Sequence, residues 1–220
     1  MILGIDTSTK HCGAALVSGE ELVAESRLLS GLAHAERLPL IVREMMANAT
    51  VSPDQITGIG VSIGPGSFTG LRIGLGFAKG LALGWNKPLY AVPTMEAVLT
   101  GLPEVFDRIC VLLTARKDEV YRGLFIKRDV YKAVSEIETL ETNQALDGLP
   151  EGHWVLTGDG APSVFDGAPP DSPVTLLGQP WLYPTGLGVA RSAQQMARRG
   201  ETSAADSLAP VYIKRFKGVA

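Results

Sequence analysis

The first 30 positions alternate between apolar runs and short polar links, which is typical of neighbouring strands. The apolar runs cover residues 2–8, 12–18 and 21–29. Because short polar links of this kind join antiparallel neighbours, we predict a three-stranded meander. A longer period follows, in which Leu38, Ile41, Val42 and Met45 recur at the spacing of one helical face. We therefore predict a helix over residues 34–49.

The next segments predict two units of strand followed by helix. Residues 57–63 and 88–92 have the length and composition of strands, and helices are predicted over 69–84 and 94–102. Either Ser67 or Thr69 is expected to cap the first of these helices, and Thr94 the second. Ser52 and Gln55 form a capping box around Pro53, which predicts one short helical turn.

The same order of elements recurs after residue 108. Residues 108–116 and 119–129 predict a hairpin, 131–140 a third strand, and Thr142 the cap of a helix. A strand over 153–160 and a helix over 186–199 complete the series, while residues 167–184 predict a long surface connection. This repeat indicates two α/β units that meet near residues 102–104.

Composition limits the classes of function. The chain has 220 residues, of which 20 are basic and 23 acidic, and its net charge is −3. An overall basic surface of the kind that holds nucleic acid is therefore not expected, and nucleic acid should contact another subunit first. Cys12 and Cys110 are too far apart for a CxxC motif and are expected to be inert, buried thiols.

Neither a signal peptide nor a membrane span is expected. Residues 1–10 lack a basic start, and Asp6 interrupts their apolar run. The apolar window over 69–84 is too short to cross a bilayer and carries Arg72 and Lys79. We expect a cytoplasmic protein with no membrane partner.

A glycine-rich loop precedes the helix predicted over 69–84. Gly64, Gly66 and Gly70 follow a strand and open a helix, which is the context of a phosphate cradle. The spacing is one residue longer than the common dinucleotide fingerprint, and Val92 and Pro93 stand where a ribose-binding acid is expected. The lysine of a P-loop is also missing. The pattern disfavours a nucleotide cradle.

The glycines of this helix suggest close packing instead. Each glycine in a helix interior costs about 1 kcal/mol relative to alanine, so contacts elsewhere must offset the loss. The small residues form two ridges along the helix. One ridge comprises Gly70, Gly74, Ala78 and Ala82, and the other comprises Gly76, Gly80 and Gly84. Either both ridges face this chain's own core, or one of them faces a helix of a partner.

Few other residues suggest chemistry. His11, His34 and His153 form no HExxH or HxxxH pattern, and no GxSxG elbow is present, so neither a metal site nor a serine nucleophile is expected. Residues 6–8, Asp-Thr-Ser, end the first strand. They either close a turn or face a nucleotide phosphate and its magnesium.

These motifs together resemble the TsaB family, also called YeaZ-like. The resemblance is carried by ILGIDTS (2–8), GPGSFTGLRIG (64–74), TARKDEVYRGLF (114–125), GDGA (158–161) and APVYIKR (209–215), in that order. It implies an α/β fold of two ribonuclease H-like lobes, the superfold of actin, Hsp70 and the sugar kinases (ASKHA). The lobes are expected to cover residues 1–104 and 105–220, with the final segment packing back on the first lobe.

The resemblance also implies a function. Members of the family are non-catalytic subunits that bind TsaD, and with it TsaE, for the N6-threonylcarbamoyladenosine modification of the tRNA adenosine beside the anticodon. ATP and metal are then expected on TsaD and no cofactor on this chain. A homodimer is expected when TsaD is absent, and tRNA is expected to be contacted only indirectly. The basic residues Lys214, Arg215 and Lys217 are typical of a solvated terminus, and the alternative is that they contact a tRNA already held by TsaD.

The resemblance assigns two sets of residues. The partner interface falls on the first two long helices, at Leu38, Ile41, Val42, Met45, Gly70, Arg72, Gly74, Ala78 and Gly80. A remnant nucleotide site falls on Asp6, Ser8, Gly158 and Gly160.

One position departs from the family pattern. Thr114 stands where the family commonly has an aspartate, so a second phosphate-side acid is missing and nucleotide hydrolysis by this chain alone is not expected. The alternative functions are an ATP-dependent small-molecule kinase of the same superfold and a metalloprotease-like enzyme. The missing histidine pair argues against the protease.

Overall fold

The computed structural model describes residues 1–29 and 33–213. The chain divides into two compact units, one built from Met1–Pro103 and Tyr183–Pro210, the other from Glu104–Leu182 and residues 211–213. The predicted boundary near residue 104 agrees with this division. The predicted second lobe does not, because residues 183–210 return to the first unit. The basic residues 214, 215 and 217 lie outside the described part.

The first unit begins with a meander and continues with alternating helices and strands, as the sequence predicts. Its elements up to residue 101 are β1 (Ile2–Asp6), β2 (His11–Ser18), β3 (Glu21–Leu29), α1 (His34–Asn48), β4 (Gly58–Gly64), α2 (Phe68–Trp85), β5 (Leu89–Pro93) and α3 (Thr94–Gly101). A single 3-10 turn at Pro53–Gln55 precedes β4 and carries the predicted capping box.

The second unit repeats the order of strands. Its elements are β6 (Arg108–Arg116), β7 (Glu119–Lys127), β8 (Tyr131–Ala133), β9 (Glu138–Glu141), β10 (Trp154–Thr157), α4 (Ala161–Asp166) and β11 (Val174–Leu176). The chain then returns to the first unit with α5 (Gly186–Arg198).

Both sheets have the same topology. The first sheet has the order β3-β2-β1-β4-β5 and the second β8-β7-β6-β10-β11, with β9 pairing on β7 beside β8. In each sheet the central strand is antiparallel to the hairpin strand that follows it and parallel to the next strand of the sheet. This doubled topology confirms the predicted pair of ribonuclease H-like units.

Helices cover both faces of the first sheet, which explains why β1 is buried along its whole length. Leu3 and Ile5 point into a core formed with α1 and α2. Ile2 belongs to a second core with Val189 and Ala190 of α5. Because successive side chains of a strand point to opposite faces, β1 reads as a continuous apolar run.

Several local predictions differ from the structure. The strand predicted over 131–140 is two short strands, since β8 pairs near one end of β7 and β9 near the other. Thr142 opens only a 3-10 turn, Thr142–Gln144, and caps no helix. The predicted surface connection contains β11, and α4 follows the GDGA turn where no helix was predicted.

The N-terminal caps of α2 and α3 confirm one predicted cap residue and contradict another. The Ser67 hydroxyl accepts a hydrogen bond from the Gly70 amide at 3.2 Å, so Ser67 is the cap of α2. Thr94 is not a cap, because Pro93 holds that position in α3. The Thr94 hydroxyl instead accepts a hydrogen bond from the Gly64 amide at 3.1 Å, which ties α3 to the end of β4.

In the described part of the chain, no helix is long and apolar enough to cross a membrane.

Candidate functional site

The first small-residue ridge of α2 faces the core of its own unit. Gly70, Gly74, Ala78 and Ala82 are all buried. A Cβ atom on Gly70 would overlap the Thr7 carbonyl, and one on Gly74 would overlap the Thr7 hydroxyl. The Thr7 hydroxyl also donates a hydrogen bond to the Gly70 carbonyl at 2.8 Å. Glycine is therefore required at both positions because the turn after β1 touches the helix backbone.

The second ridge points away from the core. Gly76, Gly80 and Gly84 are exposed, and a Cβ atom on any of them would meet nothing within 4 Å. Leu83 lies beside this ridge, next to Gly76 around the helix axis, and is 85% exposed. At the start of the helix, the Arg72 guanidinium stacks over the Phe68 ring at 3.9 Å from its centroid. We call this surface, formed by Phe68, Arg72, Gly76, Gly80, Leu83 and Gly84, the α2 outer face.

An apolar groove runs beside the α2 outer face, between α1 and α2. Its volume is about 460 Å³. The residues lining it are Pro39, Val42, Arg43, Met46, Ala47, Val51, Pro53, Phe77, Leu81 and Trp85. The groove and the α2 outer face together offer a mostly apolar surface on one side of the first unit, the kind that marks protein-binding sites.

The Asp6 carboxyl lies at the end of β1, closed off from solvent. It is 1% exposed, and one of its oxygens accepts hydrogen bonds from the Ser8 hydroxyl at 2.8 Å and the Ser62 hydroxyl at 2.5 Å. The other oxygen has no hydrogen-bond partner among the described residues. Burial raises the pKa of Asp6, and the hydrogen bonds from Ser62 and Ser8 only partly oppose this.

The glycine loop, residues 64–67, contacts the turn that follows β1. The Ser67 amide donates a hydrogen bond to the Ser8 carbonyl at 2.7 Å, and a Cβ atom on Gly66 would lie 2.5 Å from the same carbonyl. The loop is therefore packed against the turn that follows β1. Ser8 is likewise buried.

The GDGA turn lies in the second unit, where contacts with β6 account for its glycines. Gly158 has φ of +102°, and a Cβ atom there would overlap the Leu112 carbonyl. That carbonyl accepts a hydrogen bond from the Gly160 amide at 2.9 Å. The Asp159 carboxylate accepts one from the Thr114 amide at 2.9 Å. The remnant nucleotide site at Asp6, Ser8, Gly158 and Gly160 stays a prediction.

The histidines have local partners that require no metal. His34 pairs through Nε2 with the Thr9 carbonyl at 2.9 Å, and the His11 ring packs on Tyr183 with centroids 3.9 Å apart. His153 pairs with the Thr175 hydroxyl at 2.8 Å. Over residues 1–29 and 33–213, no group of three or more His, Cys, Asp or Glu side chains could hold a metal ion.

Comparison with known proteins identifies the family. The chain is 30% identical to the tRNA threonylcarbamoyladenosine biosynthesis protein TsaB of Escherichia coli, over 97% of this chain and 94% of that protein. The chain belongs to the TsaB family. The family model for TsaD, tRNA N6-adenosine threonylcarbamoyltransferase, matches residues 29–150.

Solved structures agree with the TsaB assignment and with the fold. A crystal structure from Pseudomonas aeruginosa, described as similar to the peptidase YeaZ, superposes with a TM-score of 0.84 at 26% identity. It covers 97% of this chain, and the match includes 99% of that protein. A ROK hexokinase from Thermus thermophilus superposes with a TM-score of 0.50 at 14% identity. The match covers 90% of this chain and 99% of the hexokinase chain. The fold is therefore that of the ASKHA superfold.

The structure shows where the TsaB-type interface residues predicted from the sequence lie. Leu38, Ile41, Val42 and Met45 of α1 are buried in the first core, so the apolar stripe of α1 faces its own sheet. Gly70, Gly74 and Ala78 are buried against the turn after β1 and the same core. Val42 also lines the groove, and the role of these residues as partner contacts stays a prediction. Arg72 and Gly80 lie on the α2 outer face, and their role as contacts stays a prediction.

Sequence reasoning missed two exposed apolar residues of this face, Phe68 and Leu83. The signal was present, because at 100° per residue Leu83 lies about 20° from Gly76 around the helix axis, on the side away from Gly80. An apolar side chain beside outward-facing glycines is typical of a docking surface.

Proposed function

We propose that this chain is a non-catalytic subunit that binds TsaD, and with it TsaE, for the N6-threonylcarbamoyladenosine modification of the tRNA adenosine beside the anticodon. The observation that carries the proposal is the α2 outer face, which places exposed glycines beside an 85% exposed leucine and an apolar groove. Membership of the TsaB family indicates the pathway, which is tRNA threonylcarbamoyladenosine biosynthesis.

The α2 outer face has the properties that a second helix requires. Glycines on a helix surface let two backbones approach closely, because no side chain separates them. Three such glycines reduce helix propensity by about 1 kcal/mol each, and no described residue comes within 4 Å of a Cβ position on any of them. Burial of a leucine side chain on binding would contribute roughly 1.5–3 kcal/mol. Contact with a partner helix therefore accounts for both features.

The groove extends the same surface toward α1. A partner that covers the α2 outer face would reach Phe77, Leu81 and Trp85 with its flanking residues, since these line the side of α2 next to α1. The proposed binding surface thus comprises the α2 outer face and the groove. In the absence of TsaD, a second copy of this chain would cover it.

Asp6 supports an accessory role. Phosphoryl transfer needs a carboxylate that can reach the metal ion of the nucleotide, whereas Asp6 is buried and has a raised pKa. We therefore place ATP and the metal ion on TsaD rather than on this chain, and we propose that tRNA is contacted only indirectly, in the cytoplasm.

The test is reconstitution of tRNA modification with purified TsaD, TsaE, this chain and the threonylcarbamoyl donor. We expect modified tRNA only when TsaD and this chain are both present, and none from this chain alone. Calorimetric titration of the chain with ATP and magnesium is expected to give no binding heat unless TsaD is present. Modification by this chain alone, or modification that proceeds equally well without it, would contradict the proposal.

A further inference from the structure

We propose that residues 201–208 form a strap that prevents the edge strand β5 from pairing with a second copy of this chain. β5 is the last strand of the first sheet, and the chain returns to it after α5, through a turn at Gly200 with φ of +72°. The proposal concerns how this edge of the sheet is closed. It is independent of what binds the α2 outer face.

One residue of the strap occupies the outward backbone groups of β5. The Ser203 amide donates a hydrogen bond to the Leu89 carbonyl at 2.8 Å, and the Ser203 hydroxyl accepts one from the Ala91 amide at 3.1 Å. Because Leu89 and Ala91 are two positions apart, their backbone groups point to the same edge of the strand, away from β4. The next residue in this series is Pro93, which has no amide hydrogen. Ser203 and Pro93 thus remove the pairing groups at three successive outward positions.

The strap is held at both ends. The Glu201 amide donates a hydrogen bond to the Met196 carbonyl at 3.0 Å, so the strap starts directly from the last turn of α5. Toward its other end, Ala205 and Leu208 pack against the first core. These contacts keep the segment beside β5, although it pairs with the strand at a single residue.

The two edges of the first sheet are protected in different ways. The other edge strand, β3, carries the exposed Glu21 and Glu25, and its register on β2 shifts between Leu16 and Val17. Charged side chains and irregular pairing both discourage an edge strand from joining another chain. β5 has the sequence LYAVP, without a charged side chain. An uncharged edge of this kind requires a cover, and the strap provides one.

A second copy of β5 is the strand that fits the uncovered edge. In an antiparallel pair centred on Tyr90, Ala91 of one copy lies opposite Leu89 of the other, and the two residues exchange amide-to-carbonyl hydrogen bonds. The two-fold symmetry of such a pair repeats these bonds once more. The Leu89 carbonyl and the Ala91 amide are the groups that Ser203 uses in the folded chain. The strap and a second β5 therefore exclude each other.

Hydrogen exchange at the Ala91 amide reports directly on the strap. Ser203→Ala removes the hydroxyl that accepts from this amide, and we expect its exchange to become about five-fold faster, the factor for one typical hydrogen bond. Ser207→Ala is the matched control, because the Ser207 hydroxyl bonds within the strap, to the Ala204 carbonyl. The control is expected to leave exchange at Ala91 unchanged. Unchanged exchange in Ser203→Ala would overturn the proposal.

Release of the strap should allow self-association through β5. Ser203→Pro removes both hydrogen bonds to β5, and Leu208→Asp loosens the apolar end of a strap that keeps Ser203. In each variant we expect the Ala91 amide to exchange fast in dilute protein and at least about five-fold more slowly in concentrated protein. Sedimentation velocity should show a larger species under the second condition. Val211→Asp, at an exposed apolar position outside the strap, is the control and is expected to behave as the wild type.

Exchange at Ala91 also distinguishes this association from a dimer through the α2 outer face, because no residue of that face belongs to β5. If the Ala91 amide exchanges fast at every protein concentration in the variants, whether or not a larger species forms, the edge does not pair and the proposal is overturned. Should Ser203→Pro not fold, as judged by circular dichroism, Leu208→Asp decides. Exchange as slow as in the wild type in dilute Leu208→Asp protein would also contradict the proposal, since the strap would not be held as described.

Discussion

Replacement of Gly80 by leucine separates the proposed docking role from the stability of the chain. Gly80 is exposed in the middle of α2, and a Cβ atom there would meet nothing within 4 Å. Leucine is favoured over glycine in a helix interior by about 1 kcal/mol. We therefore expect Gly80→Leu to fold and to raise the midpoint of thermal unfolding by roughly 2–4 °C.

The same substitution should abolish TsaD binding. A leucine on the ridge holds the partner helix away from the backbone of α2, which would cost about 1–3 kcal/mol in forced repacking. It would also expose part of the surface that Leu83 buries in the complex, with a loss of up to roughly 1.5–3 kcal/mol. The combined loss of about 2.5–6 kcal/mol corresponds to a dissociation constant at least roughly 70-fold higher.

The assay pairs differential scanning fluorimetry with calorimetric titration of TsaD. Gly178→Leu is the matched control, because Gly178 is also exposed with open space at its Cβ position but lies in the second unit. It is expected to leave TsaD affinity unchanged. A Gly80→Leu protein that is at least as stable as the wild type and still binds TsaD with the wild-type affinity would refute the docking role of the α2 outer face.

Three further predictions concern the interior of the chain. Gly74→Ala should lower the free energy of unfolding by roughly 1–3 kcal/mol in urea denaturation, because its methyl group would overlap the Thr7 hydroxyl; a neutral effect would contradict the packing described. Burial raises the folded pKa of Asp6 above its unfolded value, so the wild type loses stability as pH rises from about 4 through that folded pKa. Asp6→Asn lacks this loss, and its stability relative to the wild type should increase across urea unfolding series from pH 4 upward; a constant difference would show that the carboxyl is not shifted. Burial raises the pKa of Cys12 and Cys110 to about 12, so neither thiol should react with an alkylating reagent at neutral pH until the chain unfolds, as followed by mass spectrometry.

Sequence patterns alone determined most of the secondary structure and the doubled architecture. Strands and helices with a strong period were predicted within a residue or two of their bounds, as for α1 and α2, because apolar spacing reflects burial on one face. Elements without a period were missed. The short helix α4 and strand β11 lie in segments rich in glycine, proline and aspartate, where turn residues hide the pattern.

The tertiary structure decided which unit α5 joins and which ridge of α2 is free. The sequence placed α5 in the second lobe by chain order, whereas Val189, Ala190 and Ala193 pack on the sheet of the first unit. Chain order does not specify such a return, since it depends on which surface is left uncovered after both sheets have formed.

The two ridges of α2 show the same limit at the scale of single residues. Both consist of small residues at helical spacing. The sequence therefore indicated that other backbones can approach the helix closely, but not which ridge faces the chain's own core and which faces outward. Only the position of Thr7, brought against Gly70 and Gly74 by the pairing of β1 with β4, assigns the first ridge to the core. Gly76 and Gly80 are left facing outward, because a contact between residues distant in the chain is set by tertiary packing rather than by local sequence.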